Sequence, residues 1–449
     1  MSKQEKKNDY QSFLLDGKYS EAISILTDEL NNSINFDDKI RLFSQLTNIH
    51  RIRGDISLVK ELIKGLDYIF QSTDNINALI EHHFHLIKIL NYSGHHLEAL
   101  AKIYEIFDIF DTKPKYKSEE LTLSFTMLLG ETYRYMGRTI EAIKIFNEIQ
   151  AITIKKGDIL NFVLAIHHIA TELGRIGLRK HAKTLLRDAM KLKIPNYHRA
   201  RLLYGLAQLD LYNNDFKSVA KLIDELEKIN TTENYLEFLR LTIKIRLEIF
   251  SNEFIKAQET LKRMRSFQKL NIDKFNLWIV FADGLIDFYQ GNYGDALEKM
   301  KESYDLSKRY TDPFHMSKTL FKMTESIVNI SFSMESEELM SSAEEFLSKG
   351  KKEALKRKYF PLVAEALIIE SKVHFLKKEL KEAKQSLVHA EQLSTELSLE
   401  SDLKTINHYK RLFFSECDEN ENLSSHDDLL DVEQMNSYLR KVREALQQD

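Results

Sequence analysis

Proline and glycine are scarce in this 449-residue chain, which holds 4 Pro and 14 Gly. Folds made of short strands and tight turns need many such breakers, so their scarcity favours long helices. Cysteine is nearly absent. The single Cys417 excludes an internal disulfide framework and a cysteine-based zinc site. A surplus of one charge sign is also lacking. With 64 Lys plus Arg against 68 Asp plus Glu, the formal net charge of -4 gives no global attraction to nucleic acid or anionic lipid. The most apolar windows, such as "FNLWIVFADG", are far short of the ~18–20 residues of a membrane span. The charged start "MSKQEKKNDYQ" has no apolar segment behind it and does not read as a signal peptide. A cytoplasmic protein is the expectation. Apolar residues (43%) and charged residues (29%) are plentiful, so a large core can be buried.

A pattern recurs along the chain. Gly17, Gly94, Gly137, Gly177 and Gly291 are each followed five residues later by an alanine: Ala22, Ala99, Ala142, Ala182 and Ala296. Gly54 with Val59 is a weaker copy. Asn214 and Asn252 replace the glycine in "YNNDFKSVAKLI" and "FSNEFIKAQETL", Lys378 precedes Ala383, and an imperfect unit surrounds residue 333. The anchors recur about every 40 residues, the period of a solenoid. Each separates two runs with apolar residues at three- and four-residue spacing, so each unit is a pair of antiparallel helices. Gly, or Asn next best, tolerates the left-handed conformation that ends the first helix (helix A). The small residue lets the second (helix B) approach closely.

On these residues the chain resembles the tetratricopeptide repeats. Unit four carries Leu129, Gly130, Tyr133, Gly137, Ala142 and Phe146 at the family's positions. Unit eight has Gly284, Gly291, Tyr293 and Ala296, with Asp287 in place of the helix A aromatic; the closing proline is mostly absent, Pro195 lying near that place in unit five. The period is longer than the family's usual ~34 residues. It is similar to the long-helix variants of kinesin light chains and bacterial peptide-pheromone receptors. The resemblance covers about residues 8–395 and implies an all-α, right-handed superhelical solenoid of antiparallel helix pairs.

The expected organisation is a solenoid of about ten units over residues 1–395, an additional helix over 396–416, an acidic polar linker over 417–427 and a C-terminal amphipathic helix over 428–449. Ser424 or Ser425 would cap that last helix. Leu429, Val432, Met435, Leu439, Val442 and Leu446 line one face of it. It should cover the open end of the array or lie in the groove near Trp278, with end-capping favoured of the two.

No P-loop, dinucleotide turn, His-Glu-x-x-His or nucleophile elbow is present. His82, His83 and His85, with His95 and His96 in the turn of the same unit, could suggest a metal site, but no second ligand pair is aimed at them; solvated or inter-repeat histidines are the simpler reading. Residues 175–201 hold nine Lys or Arg and one acid, Asp188. Lys180, Lys183, Arg187 and Lys191 recur at helical spacing as a stripe on helix B of unit five. A solvated face is the plain reading, an acidic protein partner the next; nucleic acid is disfavoured because no stacking aromatics interleave.

The resemblance implies that helix A lines a concave groove that takes peptides. Its exposed positions are Asn48, Arg51, Lys88, Asn91, Glu131, Arg134, His167, Thr171, Arg175, Tyr204, Gln208, Tyr212 and Arg246. The family's Lys and Asn clamp for a terminal carboxylate is not found. In unit eight Trp278, Phe281, Leu285, Phe288 and Tyr289 form an apolar patch, either core or an anchor site for a partner. The expected function is a non-catalytic scaffold, without cofactor, that binds a peptide or helix of a partner protein. The alternatives are a peptide-sensing regulator of the pheromone-receptor type, for whose amino-terminal effector domain the early anchor Gly17 leaves no space, and an accessory subunit of an enzyme complex. The oligomeric state stays open.

Overall fold

A computed structural model describes residues 19–414 and 432–447, apart from 54, 230–233, 271–272, 310–311 and 335–336. Among the described residues there are 21 α-helices and no strand. In chain order they are α1 (Tyr19–Asn32), α2 (Phe36–Arg53), α3 (Ile56–Thr73), α4 (Ile76–Tyr92), α5 (His96–Thr112), α6 (Glu119–Tyr135), α7 (Thr139–Lys156), α8 (Ile159–Ile176), α9 (Arg179–Met190), α10 (Asn196–Tyr212) and α11 (Phe216–Lys228). There follow α12 (Asn234–Phe250), α13 (Phe254–Arg265), α14 (Asp273–Gln290), α15 (Tyr293–Arg309), α16 (Pro313–Met334), α17 (Glu337–Lys356), α18 (Phe360–Leu376), α19 (Leu380–Glu396), α20 (Glu400–Phe413) and α21 (Val432–Gln447). Units two to ten are the pairs from α2–α3 to α18–α19, and α1 is helix B of unit one. The described residues form an all-α solenoid of antiparallel helix pairs. No described helix is long and apolar enough to cross a membrane.

The turns explain the recurring pattern. Gly94, Gly137, Gly177, Asn214, Asn252, Gly291 and Lys378 all have positive φ, between 55° and 104°. At each, the backbone reverses between helix A and helix B in the region that glycine and asparagine occupy most cheaply. Five residues on, Ala99, Ala142, Ala182, Ala257, Ala296 and Ala383 are fully buried, as is Val219. The anchors Gly17 and Gly54 lie outside the described residues.

The array does more than stack neighbour on neighbour. Helix A of unit two (α2) meets helix A of unit seven (α12), and α8 of unit five meets α18 of unit ten. This five-unit offset closes the superhelix on itself. A seam of turn contacts marks the closure. Arg357 donates to the carbonyl oxygen of Met136, Leu397 lies against Gly177, and Asn214 donates to the hydroxyl of Ser401. One continuous apolar core therefore spans units four to six and units nine and ten, from Met127 and Phe146 to Phe321, Phe360 and Leu397.

The C-terminal helix departs from the expected end-capping. Helix α20 already covers the last unit, with Ile406 buried and Phe413 stacked on Phe375 at 4.0 Å. Helix α21 lies instead on α7, helix B of unit four. Met435, Leu439, Val442 and Ala445 are buried in the central core, and Tyr438 meets Phe360 edge-on at 5.7 Å. The open end had found its cover closer in sequence, so the apolar face of α21 was left to fill the seam. The linker over 417–427, Cys417, Leu429 and the caps Ser424 and Ser425 lie outside the described residues.

Candidate interior binding site

Helix A of each unit faces the interior, and closure brings the walls of that interior together. The side chains expected as exposed groove positions are consequently more enclosed than the sequence implied. Asn91 and Arg246 are buried; Asn48, Arg51, Lys88, Glu131, Arg134, His167, Thr171, Arg175, Tyr204, Gln208 and Tyr212 are half-buried, deep in the molecule yet reached by water.

Some of these residues are committed to internal partners. Asn91 Nδ2 donates to Thr132 Oγ1 at 2.9 Å, Thr171 Oγ1 donates to the carbonyl oxygen of His167 at 2.8 Å, and Gln208 Nε2 donates to the Tyr212 hydroxyl at 3.2 Å. Glu131 pairs with His168 at 3.1 Å. Burial pushes the Glu131 carboxyl up, but the His168 bond together with Arg134 and Lys88 outweighs it and holds the pKa at about 2. Arg175 pairs at 3.1 Å with the fully buried Glu172.

Others retain binding capacity. Lys88 lies over the Phe84 ring at 3.6 Å, and its ammonium is pushed well below the usual range by burial and by Arg51. Arg134 lies over Tyr135 at 4.5 Å. The Nε atoms of Arg51 and Arg134 and Nδ1 of His167 are buried without a hydrogen-bond partner. Such groups lose free energy unless a ligand or water satisfies them.

The cationic positions gather most densely at Tyr212. Lys318 Nζ lies 4.7 Å from its ring centroid, the Arg246 guanidinium 5.3 Å and that of Arg179 5.4 Å. Arg175 lies 5.6 Å from the ring of Phe314, which meets Tyr212 at 6.3 Å. Burial raises the Tyr212 hydroxyl, and Lys318, Arg246, Arg175 and Arg179 together outweigh it, so its pKa falls below the ordinary value. The sequence pointed to Arg175, Tyr212 and Arg246. It missed Phe314 and Lys318 because unit nine has no Gly–Ala anchor to set its register, and Arg179 because it begins a helix B.

The remaining candidates sit as follows. Phe281 and Leu285 are core, Trp278 and Phe281 pack edge-on against His315, Phe288 meets Tyr293, and Tyr289, 38% exposed, meets Phe250. The basic stripe is interrupted: Lys180, Arg187 and Lys191 are exposed, whereas Lys183 turns inward to pair with the buried Asp210. Among the described residues no three metal-ligating side chains converge. His83 pairs with Glu105 at 3.1 Å. His85 Nε2 is 2.9 Å from Ser44 Oγ, beside a cavity of about 390 Å³ lined by Ser44 and Glu81. Ser44 gives its single proton to Glu81 at 2.7 Å, so His85 must donate through Nε2 and cannot act as a base on that serine.

No protein-family model matches the chain, and no curated protein matches it. Solved structures do resemble it. A Rap protein complexed with competence and sporulation factor is 14% identical, with 82% of this chain and 99% of that one covered at a TM-score of 0.45. Yeast Tom70 is 12% identical over 91% and 96% of the two chains, with a TM-score of 0.39. A signal-transduction ATPase with a tetratricopeptide repeat sensor from Pyrococcus horikoshii is 14% identical over 86% of this chain and 52% of that one, with a TM-score of 0.34.

Proposed function

We propose that the protein is a non-catalytic interaction scaffold, working in the cytoplasm, that holds a peptide or a helix of a partner protein in the interior lined by helix A. The observation that carries this reading is the wall itself. Arg51, Lys88, Arg134, His167, Tyr212 and Arg246 come from six successive units, face one water-reached interior, and include buried N–H groups with no partner. Stacked helices hold these groups in register before any ligand arrives, so little ordering cost falls on the protein at binding.

The test is selection of a random peptide display library on the full chain, followed by affinity measurements on the selected peptides. Arg134→Gln should weaken their binding while lowering the unfolding midpoint only slightly, since His168 still pairs with Glu131. Peptides that bind the variant as tightly as the original chain would place recognition elsewhere on the surface.

A further inference from the structure

Among the interior cations, Arg175 is answered by Glu172, and Arg179 donates from Nη1 to the carbonyl oxygen of Tyr212 and to Asn213 Oδ1, both at 3.1 Å. Among the described residues Arg246 and Lys318 have no such answer. They contact the faces of Tyr212 and, for Lys318, of Phe314 at 5.5 Å. Arg246 is only 8% exposed. A ring face compensates a buried cation only in part, and two unpaired cations over one ring repel each other. Burial and the neighbouring Arg246 both disfavour the Lys318 ammonium, while Tyr212 and Glu365 favour it. Glu365 acts on Lys318 without an ion pair, so the place holds more positive than negative charge; it is reached by water and lies between opposite walls: Arg246 on α12, Tyr212 on α10, and Lys318 on the returning α16.

We propose that Arg246, Lys318 and Tyr212 form the seat of a carboxylate carried by the bound peptide, and that this carboxylate bridges the two walls of the interior. The proposal rests on the interior-binding reading above and specifies the chemistry of its ligand. A single carboxylate accepts from both cations, and the flanking Tyr212 and Phe314 rings suit the apolar stem of a peptide residue. A nucleic acid fits poorly. Its successive phosphates would meet Glu365 and Asp402, which act on Lys318, and Glu172, which pairs with Arg175.

Calorimetric titration of the full chain with three hexapeptides tests this: hexaglutamate blocked at both ends, hexaglutamine with a free C-terminal carboxylate, and hexaglutamine blocked at both ends. Binding of the first assigns the seat to a side-chain carboxylate, and binding of the second to a chain terminus. In either case the bound probe should raise the unfolding temperature, and Arg246→Gln with Lys318→Gln should weaken it at least ~10-fold. The double variant itself should melt no lower than the original chain, because it removes uncompensated charge. The proposal is overturned by no binding of either carboxylate probe, by equal affinity of the double variant, or by equal binding of the fully blocked hexaglutamine. If display-selected peptides still depend on Arg134 in any of these cases, the interior reading survives and only the carboxylate seat falls. A single-stranded oligonucleotide that displaces hexaglutamate and binds more tightly through the same two residues would also overturn it.

Discussion

The guanidinium of Arg357 donates from Nη1 to the carbonyl oxygen of Met136, 221 residues earlier in the chain. It also occupies the space beside Gly137, where an added Cβ would come within 2.6 Å of Arg357 Cδ. Gly291 has a similar positive φ, 85° against 74°, and open space around it. Alanine at either position costs about 1–2 kcal/mol for the left-handed backbone, and only at Gly137 does it also disturb the seam. Gly137→Ala should therefore destabilise more than Gly291→Ala, and Arg357→Ala in the same chain should remove the excess. Urea midpoints of these variants give the comparison. Equal losses at the two glycines would reduce Gly137 to a turn residue.

Ala142 is fully buried between α6 and α7. Ala142→Leu should overpack unit four and cost about 1–3 kcal/mol in a denaturant titration. An unchanged midpoint would mean that the helices separate freely at that level.

Arg175 is a poor position for probing binding by charge reversal. Its partner Glu172 is wholly buried and also accepts from Thr139 at 2.9 Å. Arg175→Glu strands that carboxylate beside a like charge, with an expected loss of about 3–5 kcal/mol. Arg134→Gln should change stability far less, because Glu131 keeps its His168 partner. Thermal melts of the two variants side by side decide the matter, and similar melts would show that Glu172 finds another partner.

Leu439 of the C-terminal helix is 2% exposed in the central core. Leu439→Ala should cost about 2–5 kcal/mol. Removal of residues 432–447 should raise amide hydrogen exchange in α7 and at the start of α18, where Phe360 loses Tyr438. Exchange in α20 should be unaffected, and so should the emission of the sole tryptophan, Trp278, which packs on His315. Deprotection confined to α19 and α20 would favour end-capping after all.

Buried histidines set the pH response. Burial lowers His85 and His167 well below the ordinary value near 6.5, and His198 to about 4. The native chain keeps them neutral where the unfolded chain takes up protons, so their stabilisation is complete above about pH 6.5 and is lost as pH falls. Asp402 opposes this: burial raises it to about 6, so the native state takes that proton first and gains stability on acidification. Three histidines outweigh one aspartate, and the urea midpoint should be lower at pH 5 than at pH 7. His198→Gln should flatten the difference. Below about pH 4.5, Glu131 and Glu325, both held at about 2, add a further loss. A midpoint unchanged between pH 7 and pH 5 would mean that these rings are already charged in the native state.

What was legible in the sequence was local. A residue tolerant of positive φ followed five residues on by a small one is a statement about a single turn, and Gly94, Asn214 and Lys378 all satisfy it through backbone geometry alone. The helix A period carried Arg175, Tyr212 and Arg246 to a shared interior. Lys318 escaped because α16 is 22 residues long and its end has no such turn pair to count back from. The partnership of Phe360 with Tyr438, or of Leu397 with Gly177, follows from superhelical pitch. Pitch is the sum of small rotations between units, which no periodicity of apolar residues encodes. The amphipathic face of α21 could be read; its seat depended on where the seam fell.

The five-unit offset fixes the number of units. In an open solenoid one more repeat can be inserted at any joint, and the array simply lengthens. Here an extra helix pair between unit six and unit nine would slide Arg357 off Met136 and Ser401 off Asn214 at once. Growth by internal duplication is thus barred over the middle of the chain and left free only before unit two. The same contacts tie residues some two hundred positions apart, so the middle of the molecule should melt as one body, without the unit-by-unit fraying of open arrays.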